Sequence, residues 1–169
     1  ILVGAGSFAF HGPAGPGAGW AHDASISALL LLVLAVELGS IADWPADRAL
    51  IGWAVAASAT AVVEGVWTEV ADPLNLTLAI LAVGSVVGRF LNGRRPGSKN
   101  RDRWEMPAAV VVLLVGAVVM LFSRTGGPWC APDSIAQGHA AWHLLAAIGV
   151  GFYARSVSLG QSWTVKPSL

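Results

Sequence analysis

Met106-Pro-Ala-Ala-Val-Val-Val-Leu-Leu-Val-Gly-Ala-Val-Val-Met-Leu-Phe122 is a run of 17 residues without one charged side chain. At about 1.5 Å of helical rise per residue it covers most of a hydrocarbon core about 30 Å thick. Four further apolar runs have similar length: Ala24 to Ile41, Arg48 to Trp67, Pro73 to Leu91 and Ser134 to Tyr153. Short turns carrying polar residues, Gly or Pro separate them, which predicts five complete membrane spans. Ile1 to Phe10 is only half a span, apolar from its first residue, with no initiator Met and no charged leader segment. It reads as a helix cut in the middle. The expected architecture is all-α: a polytopic transmembrane helix bundle forming a single domain over residues 1–169, truncated at its N-terminus, from a parent of seven helices.

Composition agrees with a lipid surrounding. Charged residues make up 12% of the chain and hydrophobic residues 55%, with a mean hydropathy of +0.65. A soluble domain carries about 25% charged residues. Ten basic and ten acidic residues cancel, so neither a nucleic-acid partner nor a polybasic surface is indicated. The single cysteine, Cys130, excludes an intrachain disulfide and a cysteine-based metal cluster.

Loop charges predict the orientation. Residues 92–104 hold Arg94, Arg95, Lys99, Arg101 and Arg103 against a lone Asp102, so this loop is expected on the cytoplasmic side. Alternating from it places the C-terminal tail, with Arg155 and Lys166, inside as well. The turns Gly12 to His22, Thr68 to Asp72 and Ser123 to Asp133 fall outside and together hold a single Lys or Arg, Arg124.

This topology gathers the polar residues of three helices at one bilayer face. His11 lies at the outer end of the half-span, with Ser7 one helical turn deeper on the same side. Asp23 opens the next helix. His139 and His143 stand four residues apart near the start of the last helix, on one face of it. Three neutral imidazoles with an open fourth position are the donor set of a catalytic zinc. Such a metal acidifies a bound water and polarises a carbonyl. Asp23 is placed to take a proton from that water or to orient it, and Ser7 to donate to a developing oxyanion. This is the chemistry of amide or ester hydrolysis, and a site inside a lipid bundle points to a lipid substrate with a long acyl chain.

Other readings of the same residues stand beside this one. Asp23 follows a Gly/Pro-rich turn and precedes an apolar run, as a helix N-cap does. Ser7 alone fits an interhelical hydrogen bond. His22, next to Asp23, is expected to point elsewhere as an outer-loop residue. Glu37 lies about 21 Å along the helix from Asp23, too far to join the metal. Glu64, near the outer end of its span, is expected to face water rather than to support the pocket. Several tryptophans lie near span ends, as in an interfacial belt. Trp142 sits between the paired histidines in sequence but on another face, where it packs against a neighbour or lipid.

The ordered set Ser7-x-x-x-His11, Asp23 and His139-x-x-x-His143 resembles the pattern of the CREST membrane hydrolase superfamily, which includes alkaline ceramidases and the progestin and adipoQ receptors. The resemblance implies a seven-helix bundle with zinc held by His11, His139 and His143, and with Asp23 and Ser7 at the metal's water. The short interval between His11 and Asp23, and a metal site opposite the basic loop, look like the alkaline ceramidase branch. That branch's acidic calcium segment and its first helix have no counterpart in this chain. Two functions follow as expectations. One is a zinc-dependent amide hydrolase acting on ceramide or another N-acyl lipid within the bilayer. The other is a non-enzymatic receptor or structural module of the progestin and adipoQ receptor type.

Overall fold

The computed structural model describes residues 1–12, 15–91, 104–123, 126–130 and 138–158. Among these the chain is all-helical. Six α-helices are present: α1 Leu2–His11, α2 Ala18–Ile41, α3 Ala46–Val66, α4 Ala71–Leu91, α5 Glu105–Ser123 and α6 Gly138–Ser158. A short 3₁₀ turn, Thr68–Val70, joins α3 to α4. Four helical segments, Ala18–Ile41, Ala46–Val66, Thr68–Leu91 and Glu105–Ser123, are long and apolar enough to cross a membrane. The expected fifth span, Ser134 to Tyr153, corresponds to α6, which begins at Gly138 and falls outside that group. Its polar content, with His139, His143 and Arg155, lowers its hydropathy. The basic loop is outside the described residues from 92 to 103, as is Lys166.

Two boundaries have simple causes. Pro73 and Pro107 both fall in the first turn of their helices, α4 and α5, where a missing N–H interrupts no helical hydrogen bond. The turn expected over Gly12 to His22 is shorter than that, because α2 already begins at Ala18, after Gly17 in the left-handed conformation. Nothing in Gly19-Trp20-Ala21-His22-Asp23 breaks a helix, so these residues continue it toward its N-terminus. Asp23 therefore lies in the second turn of α2 and is not its N-cap.

The burial pattern is that of a membrane protein. Large apolar side chains point outward, with Val62 65%, Leu81 54% and Leu114 52% exposed, whereas the largest fully buried side chains are Glu37, Glu64, Glu105 and Ser27. In water this distribution would be unfavourable. In lipid it is the expected one, since polar groups must find partners inside the protein.

The chain forms two compact units, Ile1–Gly88 and Arg89–Leu169. In the first, α1 lies against α2 and α2 against α3. Gly6 is the close point of the first pair: a Cβ there would stand 2.7 Å from the Ala21 carbonyl oxygen and 2.8 Å from Ser25 Oγ. Two indoles tie the second pair in opposite directions. Trp20 Nε1 of α2 donates to the Ala61 carbonyl at 2.8 Å, and Trp53 Nε1 of α3 donates to the Ala28 carbonyl at 2.8 Å.

In the second unit α5 packs on α6 through small residues. A Cβ at Gly149 would stand 2.6 Å from Leu113 Cγ, and Ala109 beside it is fully buried. Trp142 rests on Gly116 of α5, the neighbour expected for it. Without a hydrophobic drive between helices in lipid, this close approach is what holds such a pair. At one end, Arg155 Nε donates to Glu105 Oε1 at 2.7 Å, pairing the buried carboxylate with an exposed guanidinium.

Candidate metal centre

His11, Ser7 and Asp23 all lie in the first unit. His11 closes α1, and Ser7, half-buried, precedes it by one turn. Because Gly6 lets α1 approach the second turn of α2, the end of α1 meets His22. The His11 and His22 rings lie 5.6 Å apart, nearly perpendicular at 86°. His22 Nδ1 stands 2.9 Å from Asp23 Oδ1, with the His22 side chain 14% and the Asp23 side chain 31% exposed. A carboxylate offers only acceptors, so the imidazole N–H is the donor. The expectation that His22 is an outer-loop residue facing elsewhere is thus corrected. It is helical, mostly buried and bonded to Asp23, and the signal for it was adjacency to that carboxylate.

A second polar cluster lies one turn further along α2. Ser27, four residues after Asp23 and on the same face, is 1% exposed. Its hydroxyl lies 2.6 Å from Glu64 Oε1 of α3 and 2.8 Å from Asn75 Oδ1 of α4. Asn75 Nδ2 reaches the Asp23 carbonyl oxygen at 3.5 Å. Glu64 is itself 1% exposed, which corrects the expectation that it faces water. A charged group near a span end reaches water only if its helix face is open there, and this face is covered by α2.

One hydroxyl proton serves only one acceptor, so the Ser27 contacts need a second donor. A glutamine at position 64 provides one. Glu64→Gln is therefore expected to fold with wild-type thermal stability, whereas Glu64→Ala removes the α3 partner of the buried Ser27 hydroxyl and costs about 1–3 kcal/mol. Thermal unfolding in detergent reads the difference, and equal melting temperatures for the two variants would contradict this role.

The paired histidines lie in the second unit. His139 and His143 occupy the first two turns of α6, both half-buried, with ring centroids 4.8 Å apart. Their Nε2 atoms are 3.2 Å apart. Two nitrogens on one tetrahedral zinc, at Zn–N about 2.0–2.1 Å, stand about 3.3 Å apart. The separation matches that of two ligands on one zinc, and it is also a hydrogen-bond distance between the two rings. Glu37, as expected, lies far along α2 from Asp23; it is completely buried. Cys130 is exposed and unbridged.

These features define a helical membrane protein with an imidazole pair at metal-binding separation in one unit and a histidine–carboxylate cluster in the other. The chain matches no family model, no curated protein and no solved structure.

Proposed function

We propose that this protein is a zinc-dependent lipid amide hydrolase of the ceramidase type, working within the bilayer. The observation that carries the reading is the 3.2 Å separation of the His139 and His143 Nε2 atoms, which suits two ligands of one tetrahedral ion. His11, which also offers one ring nitrogen, is assigned as the third ligand. Zinc, when bound, supplies Lewis acidity to a carbonyl and lowers the pKa of a coordinated water.

The remaining chemistry belongs to the chain. Asp23 is the base that takes the proton from water as it attacks the N-acyl carbonyl, and the same proton is then available to the leaving amine. Ser7 donates to the carbonyl oxygen as negative charge develops there. Apolar residues facing outward around the helices give a lipid substrate direct access from the bilayer. By charge, the basic loop at 92–104 and the C-terminus are assigned to the cytoplasm and the site to the opposite face, with α6 completing five spans.

The test uses the full chain in detergent–lipid micelles loaded with zinc and given ceramide or another long-chain N-acyl lipid. Release of fatty acid in proportion to enzyme is expected, with loss on chelation and recovery on adding zinc back. A chain that binds zinc but releases no fatty acid from any N-acyl lipid would favour the receptor or structural alternative.

A further inference from the structure

His22 has no assigned role in the hydrolysis, yet it makes the one hydrogen bond resolved to the Asp23 carboxylate among the described residues. We propose that His22 is the positioning residue for Asp23, holding its carboxylate in the orientation that accepts a proton. The proposal rests on the hydrolase reading given above.

The imidazole is held on several sides. Its ring stacks on Phe10 with centroids 5.0 Å apart and planes 29° from parallel, and its edge meets His11. Its backbone is fixed too. Ser25 Oγ donates to the His22 carbonyl at 2.7 Å, and Gly6 passes so close that a Cβ there would lie 3.1 Å from His22 Cα. The N–H at Nδ1 must point at Asp23, because the carboxylate can only accept. This contact occupies Oδ1 and leaves Oδ2 as the oxygen that takes the proton. Without the contact, a carboxylate that is 31% exposed would rotate about two side-chain torsions and spend less time in the reactive orientation.

The role differs from that of a metal ligand and from that of packing, and two substitutions separate these. His22→Phe keeps an aromatic ring against Phe10 but removes the donor. His22→Asn places an amide N–H at the position of Nδ1 and restores it. With zinc-loaded full-length protein, His22→Phe should lower kcat about 10- to 100-fold, the usual loss for a residue that orients a reacting group, at unchanged KM and zinc content. His22→Asn should recover most of that loss.

A second readout does not depend on turnover. In protein labelled with ¹⁵N-histidine, the hydrogen-bonded Nδ1–H of His22 should give a slowly exchanging resonance that disappears in both His22→Phe and Asp23→Ala. Unchanged kcat in His22→Phe, or loss of zinc from it, would overturn the positioning role. A resonance present in wild-type protein that binds zinc but hydrolyses nothing would overturn the hydrolase reading while leaving the hydrogen bond established. An absent resonance in active protein would overturn the proposal alone.

Discussion

Asp23→Asn is expected to lower kcat for N-acyl lipid hydrolysis by about 10²- to 10⁴-fold, the range for loss of a general base. The substitution is close to isosteric. The asparagine Oδ1 can still accept from His22 Nδ1, now 2.9 Å from the carboxylate, so the cluster at the end of α1 keeps its shape. What is lost is the capacity to take a proton. Zinc content and melting temperature should therefore match the wild type. Since α2 starts at Ala18, capping by Asp23 is not available as an explanation for any effect. Steady-state kinetics on zinc-loaded protein decides the matter, and a variant within threefold of wild type would remove Asp23 from the mechanism.

Joint replacement of His139 and His143 by alanine is expected to have the other large effect. The two Nε2 atoms stand 3.2 Å apart on successive turns of α6, and no other imidazole of that unit can take their place. Mutating a residue that only orients a ligand costs about 10- to 100-fold in metal affinity. Removing two direct ligands should cost more, leaving hydrolysis at background. A stability readout accompanies this. Zinc at a hundredfold excess over Kd stabilises a folded protein by about 2.7 kcal/mol, so it should raise the wild-type melting temperature and leave the double variant unmoved. An equal zinc-induced shift in both proteins would place the metal elsewhere.

Much of the helical layout was legible in the chain because lipid imposes one coarse requirement, an uninterrupted apolar run. Met106 to Phe122 meets it, and α5 spans Glu105–Ser123 accordingly. Boundaries were less legible where polar residues are accommodated by a neighbour. His22 looked like a loop residue and Asp23 like a helix start by polarity, yet both lie inside α2, where His22 faces α1 at the close approach of Gly6. Glu64 was misplaced for the same reason. Hydropathy records that a carboxylate is costly near lipid, and gives no information that Ser27, 37 residues away in the chain, hydrogen-bonds it from α2. The His139–His143 spacing needed no tertiary information, because four residues on a helix fix the ring separation locally. The Phe10–His22–Asp23 arrangement did need it, since it depends on how closely two helices approach.

The central claim is that His11 completes a three-imidazole zinc site with His139 and His143. Zinc titration of detergent-purified full-length protein, with bound metal measured by elemental analysis, tests it most directly when wild type is compared with His11→Ala. One zinc per wild-type chain, with affinity reduced at least about 100-fold in His11→Ala, is the predicted result. Wild-type stoichiometry and affinity in His11→Ala, or no zinc in the wild type, would contradict it.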